Sequence, residues 1–203
     1  MKFITFEGCD FSGKSTQIKL LKLFFEQQGK KLFVTREPGG SKLSEQIRNL
    51  ILSDNINDPL TEYLLLAAAR KDHVDNVIKK NIKNNHYVIS DRFYDSSICY
   101  QGYYKKLDIN LIETIKQITI GDFQPDLTFL IDVSLNEIKK RILENNRDVN
   151  FYDSKNMDFY KTIKEGYLKI AQENKDRIIV IDGNKSTDEI HKEIITVLTK
   201  KIL

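Results

Sequence analysis

A glycine-rich loop near the N-terminus constrains this chain more than any other feature of its sequence. Gly8 and Gly13 enclose four residues, Lys14 and Ser15 follow, and the loop lies between an apolar stretch and a segment of helical period. The glycines permit positive φ angles, and the N–H groups at the start of a helix attract phosphate oxygens. A glycine-rich turn without function is the alternative, but this strand–loop–helix context predicts a site for the phosphates of a nucleoside triphosphate.

Two side chains of the loop have separate expected tasks at a triphosphate. Lys14 would reach the β- and γ-phosphates, and the hydroxyl of Ser15 would bind Mg²⁺. The loop alone is compatible with a kinase, a GTPase or an ATP-driven motor. We find no Asn-Lys-x-Asp element at a strand end, as a GTPase requires, and the chain is short for a motor. The residues predicted to contact ATP are Gly8, Cys9, Asp10, Phe11, Ser12, Gly13, Lys14, Ser15 and Thr16.

The rest of the chain alternates between short apolar runs and longer segments of helical period. Strands are predicted at residues 2–7, 32–35, 87–91, 127–132 and 178–182. Helices are predicted at residues 14–28, 41–52, 60–84, 110–120, 135–145, 157–174 and 187–199. Continuous apolar runs fit strands that are buried on both faces, and helices separate these runs. We therefore predict one domain, residues 1–203, with a doubly wound three-layer α/β/α architecture, a five-stranded parallel sheet and the P-loop NTPase fold.

The overall composition excludes several functional classes. The net charge of +3 is small for 203 residues, so we expect no nucleic-acid partner. No apolar stretch approaches the length that spans a bilayer, and the N-terminus lacks the pattern of a signal peptide. We therefore expect a cytoplasmic protein without a membrane partner. Cys9 and Cys99 lack metal-ligand spacing and are expected to be reduced thiols.

Charged residues follow the predicted strands, at the edge of a parallel sheet where ligands bind. Arg36 follows the second strand, and Asp91 and Arg92 close the third. Guanidinium groups hold phosphates by paired hydrogen bonds, so Arg36 and Arg92 are predicted to clamp a second, acceptor phosphate. Each arginine can instead form a structural salt bridge, and Glu37 stands beside Arg36.

A second candidate binding face lies on the long predicted helix. Leu66 and Arg70 are four residues apart and therefore share a face. An apolar platform followed by a cation fits a nucleobase and one of its ring carbonyls. The alternatives are a core leucine and a solvated arginine, which the spacing alone leaves open.

Several motifs follow one another along nearly the whole chain. They are the loop at residues 8–15 with Asp10, Thr35-Arg36-Glu37-Pro38-Gly39-Gly40, Ala67-Ala68-Ala69-Arg70, Asp91-Arg92-Phe93, Ser96-Ser97-x-x-Tyr100-Gln101-Gly102 and Pro125-Asp126-Leu127-Thr128. In this order they resemble bacterial thymidylate kinase. The resemblance implies phosphoryl transfer from ATP to dTMP with Mg²⁺, in dTTP synthesis, by a homodimer formed through long helices. A kinase for another (deoxy)nucleoside monophosphate, or a nucleotide-binding module without turnover, remains as an alternative.

The resemblance also implies roles for individual residues. Asp10 would contact the sugar 3′-hydroxyl of dTMP, Arg92 would clamp its phosphate, and Arg36 would lie beside that phosphate. Asp91 would position Mg²⁺ or its waters. The residues that would address the thymine base are Leu66, Arg70, Ser97 and Gln101.

The chain departs from the family pattern in the base site, in the loop and in the lid. Leu66 stands where the family often has a phenylalanine stacked on thymine, and Phe11 stands where some relatives carry an arginine. Bacterial relatives supply basic residues from a lid, here about residues 141–153, but Asn150-Phe151 replaces the usual Asp-Arg pair.

An arginine of that lid is expected to neutralise the transferred phosphoryl group. Arg147 is the first candidate and Arg141 the second. The alternative for either residue is an exposed helix charge.

Overall fold

The structure is a computed structural model that describes residues 2–53, 56–144 and 156–203. Its strands are β1 (Phe3–Glu7), β2 (Leu32–Arg36), β3 (Tyr87–Asp91), β4 (Leu127–Asp132) and β5 (Ile178–Asp182). Its α-helices are α1 (Lys14–Gln27), α2 (Lys42–Ser53), α3 (Pro59–His73), α4 (Lys79–Lys83), α5 (Tyr94–Ser97), α6 (Ile109–Ile120), α7 (Leu135–Leu143), α8 (Met157–Glu173) and α9 (Thr187–Lys201). Two π-helical segments are Val74–Ile78, between α3 and α4, and Ile98–Tyr104, after α5.

The five strands form one parallel sheet in the order β2-β3-β1-β4-β5, and helices pack against it. The predicted α/β architecture is thereby confirmed. All five residues of the central strand β1 are buried, including the polar Thr5 and Glu7. The register pairs Phe6 and Arg36 with Asp91, so the carboxyl ends of β1, β2 and β3 lie together at one edge. No helix in the described ranges has both the length and the apolar character needed to cross a membrane.

The ends of α1 and α3 follow local sequence signals. Gly29, predicted to cap α1, has a φ of +64° just beyond the end of the helix. Pro59 opens α3, and the side chain of Asp58 accepts a hydrogen bond of 2.6 Å from the N–H of Thr61. Both devices satisfy backbone groups that a helix end would otherwise leave unpaired.

The continuous helix predicted at residues 60–84 was wrong in one respect, because the π-helical segment Val74–Ile78 interrupts it. The segment follows His73, which is fully buried. The Nε2 atom of His73 lies 2.7 Å from Thr35 Oγ1, and its Nδ1 atom lies 3.0 Å from Glu37 Oε1. These partners belong to β2 and the loop after it, so the apolar spacing of the helix could not reveal them.

The helical stretch at residues 94–104 was not predicted from the sequence. It consists of α5 and the π-helical segment Ile98–Tyr104. Five successive residues in it, from Ile98 to Gly102, are buried. A stretch buried on all sides has no amphipathic pattern, which is the signal that predicts helices from sequence.

Candidate active site

The glycine-rich loop leads from the buried end of β1 into α1. Gly8 has a φ of +135° and Gly13 a φ of +98°. A Cβ atom at Gly8 would lie 2.6 Å from the carbonyl oxygen of Ile131, so only glycine fits where the loop passes β4. Phe11, between the glycines, also has a positive φ of 64°. The loop is thus held in a conformation that brings its backbone and the start of α1 to the wall of a large cavity.

We call this cavity the donor cavity, because the predicted ATP-binding loop lines it. It has a volume of about 820 Å³ and a strongly charged lining. Its basic side chains are Lys14, Arg36, Arg48, Arg92, Arg141 and Lys185. Its acidic side chains are Asp10, Glu37, Asp91 and Glu144. Of the predicted ATP contacts, residues 10–16 line the cavity, whereas Gly8 and Cys9 are not among its lining residues. The concentration of basic groups in a chain of small net charge fits a polyanion such as a triphosphate.

Lys14 lies across the loop with its side chain buried. Its Nζ atom donates hydrogen bonds to the carbonyl oxygens of Gly8 at 3.0 Å and of Cys9 at 2.8 Å. Burial, and then the nearby charge of Arg92, lowers the pKa of the ammonium group. A cation removed from water interacts strongly with an incoming anion, which suits the predicted contact with the β- and γ-phosphates.

Ser15 and Asp91 meet at the entrance to α1. The hydroxyl of Ser15 donates a hydrogen bond of 2.9 Å to Asp91 Oδ2. Hydroxyl and carboxylate oxygens are the hard ligands that Mg²⁺ prefers. This pair of oxygens beside the phosphate loop therefore fits the predicted metal site.

Arg92 directly follows β3, and its side chain contacts Asp10 of the phosphate loop. Its φ of +69° is unusual for a side chain of this size, and such strain often marks functional sites. Its Nη2 atom donates to Asp10 Oδ1 at 2.6 Å, and its guanidinium carbon lies 5.1 Å from the centre of the Tyr100 ring. Although burial opposes ionisation of Asp10, Arg92 and Lys14 hold the pKa of that carboxyl below its usual range. The guanidinium is thereby fixed in one orientation.

Arg36 reaches the donor cavity from the end of β2. It pairs with Glu45 at 2.9 Å rather than with the adjacent Glu37, and its side chain is 54% exposed. Glu37 is buried and instead accepts hydrogen bonds from Arg70 at 2.7 Å and from His73 at 3.0 Å. The exposed, singly paired Arg36 remains accessible to a phosphate in the cavity.

A second cavity, the acceptor cavity, has a volume of about 130 Å³ and adjoins the first. Its apolar wall is formed by Pro38, Ile51, Leu52, Leu66 and Phe93. Its polar wall includes Arg48, Glu62, Arg70, Ser97, Tyr100 and Gln101. An apolar wall opposite converging polar groups is a feature of small-molecule sites. Leu66 and Arg70 face the same cavity, as their spacing predicts.

Arg70 is rigidly held and only 5% exposed. Its Nε atom donates to Glu37, and its Nη2 atom donates to Ser97 Oγ at 2.9 Å. The guanidinium carbon lies 5.4 Å from the centre of the Phe93 ring. The solvated arginine considered from the sequence is therefore wrong. Leu66 is half-buried and packs against the core as well as lining the cavity.

Gln101 contributes an oriented amide to the acceptor cavity. Its Nε2 atom donates to Glu62 Oε1 at 2.5 Å. Its buried Oε1 atom has no hydrogen-bond partner among the described residues. Glu62 also pairs with Lys105. The amide therefore presents an acceptor that a ligand donor can satisfy.

Arg141, at the last turn of α7, binds the loop itself. Its Nη1 atom donates to the carbonyl oxygens of Phe11 and Ser12, both at 3.1 Å, and its Nη2 atom donates to that of Gly183 at 2.9 Å. Arg141 thus stabilises the loop through hydrogen bonds to its carbonyl oxygens, and it also lines the donor cavity. Arg147 and residues 145–153 of the predicted lid lie outside the described residues.

Two charged residues that line both cavities, Arg48 and Glu37, were not predicted as site residues from the sequence. Arg48 lines both cavities and donates to the carbonyl oxygen of Pro38 at 2.8 Å, but it belongs to no motif. For Glu37, the sequence predicts only a possible salt bridge with Arg36. Tyr100, whose hydroxyl donates to Asp10 Oδ2 at 3.2 Å, was part of a recognised motif and could have been assigned from it.

Comparison with known proteins places this architecture in a family. Residues 6–194 match the family model described as thymidylate kinase. The chain is 40% identical to thymidylate kinase of Mycoplasma capricolum, over 98% of this chain and 95% of that protein. It is 41% identical to thymidylate kinase of Geobacillus sp., over 99% of this chain and 97% of that protein. The crystal structure of thymidylate kinase from Ehrlichia chaffeensis superposes with a TM-score of 0.78 at 38% identity, covering 97% of each chain. With a matching fold, two adjoining cavities and similarity over its whole length, this chain belongs to the thymidylate kinase family.

Proposed function

We propose that this chain transfers the γ-phosphoryl group of ATP to dTMP, giving ADP and dTDP. The observation that carries the proposal is the junction of the two cavities, whose shared lining residues are Asp10, Glu37, Arg48 and Arg92. The donor cavity is lined by the phosphate loop, and the acceptor cavity combines an apolar wall with converging polar groups, which suits a nucleobase. A monophosphate with its base in the acceptor cavity would present its phosphate at Arg92, beside the loop.

For the donor nucleotide, we assign the phosphates of ATP to the loop and to Lys14. Arg141 supports this site by holding the loop carbonyls. Ser15 and Asp91 would hold Mg²⁺, which when bound supplies positive charge to the phosphate oxygens. Arg147 remains our first candidate for an additional charge over the transferred group, although it lies outside the described residues.

For the acceptor nucleotide, the phosphate is assigned to Arg92 and Arg36, with Arg48 as a further cation in the shared wall. Asp10 would contact the 3′-hydroxyl of the sugar while it orients Arg92.

The base of the acceptor is assigned to the acceptor cavity. Arg70 and Ser97 would address a ring carbonyl, the free Oε1 of Gln101 would accept from a ring N–H, and Leu66 would pack against the ring face. Leucine supplies apolar contact but not the π-face that a phenylalanine would provide.

The chemistry that this arrangement supports is positioning and charge stabilisation. The phosphate oxygen of dTMP is already a competent nucleophile, so no side chain has to act as a general base. Arg92 and Lys14 both line the donor cavity, and the charge of Arg92 acts on Lys14. Fixed cations at the place where the two phosphates would meet would stabilise charge on the transferred group.

A panel of acceptors tests the proposed reaction. Release of ADP is measured with ATP and each of dTMP, dUMP, dCMP, dGMP and AMP. We expect dTMP to give the highest kcat/KM. A different best acceptor would identify another nucleoside monophosphate kinase. Binding of ATP with no transfer to any acceptor would identify a module without turnover.

We also propose that the protein forms a homodimer in the cytoplasm. Leu64 of α3 is 49% exposed and Ile118 of α6 is 79% exposed, and the two helices are linked by the hydrogen bond from Tyr63 to the carbonyl of Ile112. Exposed apolar side chains on neighbouring helices support pairing of two copies. Light scattering coupled to gel filtration would reveal a mass near 47 kDa for a dimer, against 23.7 kDa for one chain.

Free, buried Cys9 and Cys99 support a reducing compartment.

A further inference from the structure

Glu7 is a buried carboxylate that none of the roles above uses. It is the last residue of β1, stands directly before the phosphate loop, and is 1% exposed. Its Oε1 atom accepts a hydrogen bond of 2.7 Å from the N–H of Phe93. Its Oε2 atom accepts hydrogen bonds from Ser96 Oγ at 2.7 Å and from the Tyr167 hydroxyl at 2.9 Å. The carboxylate thus joins the loop strand to α5 and α8.

The same two hydroxyl groups are acceptors for Arg92. Its Nη1 atom donates to Tyr167 at 2.9 Å and to Ser96 at 3.2 Å. Each hydroxyl has one proton and can accept through its lone pairs. The two hydroxyl oxygens also lie 2.8 Å apart, so either proton can instead point to the other hydroxyl. An ionised carboxylate is the stronger acceptor, and when it draws both protons the lone pairs are free to face the guanidinium. An ionised Glu7 therefore sets the polarity of both hydroxyls in the sense that Arg92 requires.

We propose that Glu7 is a positioning residue for the acceptor phosphate, acting through Tyr167 and Ser96 on the guanidinium of Arg92. The proposal rests on the function assigned above to Arg92. Asp10 fixes the Nη2 side of the guanidinium, and the two hydroxyls fix its Nη1 side. Because φ at Arg92 is +69°, the backbone alone does not favour this position, and the side-chain contacts maintain it.

The charged and titratable groups around Glu7 come from every element packed against it. They are Arg92 after β3, Asp95 of α5, Cys99 of the second π-helical segment, Tyr167 of α8 and Arg177 before β5. Burial and then the neighbouring charge of Asp95 raise the pKa of Glu7 to about 7, against the opposing effect of Arg92. The ionised form that orients the hydroxyls therefore develops across neutral pH.

Glu7→Gln tests the proposal because the carboxamide keeps the shape of the side chain but places an NH₂ group against groups that must donate. We expect KM for dTMP to rise on the order of 10-fold or more above neutral pH, the scale of a lost charge-assisted hydrogen-bond arrangement. KM for ATP should stay within about twofold, because the loop backbone is unchanged. Equal increases in both constants would overturn the proposal and indicate general damage to the loop.

The pH dependence separates positioning from a merely structural role. The phosphate of dTMP also ionises, with a pKa of about 6 for such monoesters, but it does so equally for both enzymes. The ratio of KM for dTMP, Glu7→Gln over wild type, therefore isolates Glu7. We expect it to rise from near one at about pH 5.5, where both side chains are neutral, towards its full value at about pH 8.5. A ratio that is constant with pH would overturn the proposal.

Tyr167→Phe supplies a second test, which can be carried out even if the Glu7→Gln variant does not fold. Loss of this hydroxyl should raise KM for dTMP, and adding Glu7→Gln to it should have a smaller effect than Glu7→Gln alone. Tyr63→Phe is the matched control, since it removes a buried tyrosine hydroxyl bonded to the carbonyl of Ile112 at 2.9 Å, away from Arg92. The proposed action of Glu7 through Tyr167 would be overturned if KM for dTMP were unchanged in Tyr167→Phe. It would also be overturned if Tyr167→Phe and Tyr63→Phe changed this KM equally. If wild type prefers another acceptor, the proposed function fails instead, because that result does not depend on these variants.

Discussion

Asp10 of the phosphate loop and Arg92 after β3 form an ion pair, with 2.6 Å between Oδ1 and Nη2. Both residues line the donor and the acceptor cavity. The pair therefore links the loop that would hold ATP to the cation that would hold the acceptor phosphate. We therefore expect a change on either side of this contact to affect the binding of both substrates.

Asp10→Asn should raise KM for dTMP more than KM for ATP. The amide keeps one hydrogen-bonding oxygen but loses the charge that orients Arg92, a loss of about 1.5–3 kcal/mol for hydrogen bonds to charged groups. Steady-state kinetics with each substrate varied in turn measures the difference. dTMP lacking its 3′-hydroxyl is the matched probe: wild type should bind it more weakly than dTMP, and Asp10→Asn should discriminate less. Equal discrimination by the two enzymes would remove Asp10 from the sugar site.

Lys14→Ala should abolish nearly all transfer while the protein stays folded. Among the described residues, Lys14 is the only lysine with a buried side chain. Loss of its ammonium group should remove charge stabilisation of the transferred group. We expect kcat to fall by about a hundred- to a thousandfold, the range for a lost electrostatic contact at a transition state. Lys19→Ala, an exposed lysine on the same helix, is the control. Wild-type turnover in Lys14→Ala would refute the assignment of the phosphate loop.

The sheet and the loop were predictable because local patterns determine them. Continuous apolar runs mark several strands, as in β5, and the glycine spacing reports a backbone constraint at Gly8 that is set by the adjacent β4. The carboxyl-edge placement of Asp91 then follows from parallel strand order. These features can be recognised in short stretches of the chain, so a single sequence is enough to predict them.

The partners of the charged residues could not be predicted in the same way. Arg70 binds Glu37, which is 33 positions away, and His73 shares that carboxylate. Arg36 has an acidic neighbour in sequence but pairs with Glu45. Such choices depend on how α2 and α3 pack beside the end of β2. The interaction of Glu7 with Tyr167 spans 160 positions and has no sequence pattern at all.

Arg70→Ala should affect both affinity and stability. Weaker contact with the base should raise KM for dTMP by about 1.5–3 kcal/mol in binding free energy. Removing one member of the buried Arg70–Glu37 pair, 2.7 Å apart, should also lower the free energy of unfolding by about 3–5 kcal/mol, because Glu37 is left as a buried, partly unpaired charge. Urea denaturation and dTMP kinetics measure the two effects separately.

The double variant Glu37→Gln/Arg70→Met distinguishes these two effects. It removes both charges of the pair and should recover part of the lost stability, since no buried charge loses its partner. KM for dTMP should remain high because the guanidinium is still missing. Recovery of dTMP affinity together with stability would show that Arg70 acts only on the fold.

Glu7→Gln should become more stable relative to wild type as pH rises. Glu7 has an ordinary pKa of 4.5 and a pKa of about 7 in the folded protein. Between these values the folded protein binds more protons than the unfolded chain, so wild-type stability falls as pH increases. Glutamine does not titrate, and the difference in unfolding free energy should shift in its favour by about 2–4 kcal/mol between about pH 4.5 and 8. Urea denaturation of both proteins across this range measures the shift, and a difference that stays constant would contradict the raised pKa. A variant that gains stability where it loses affinity for dTMP is the expected result if wild type keeps a costly buried charge to orient Arg92.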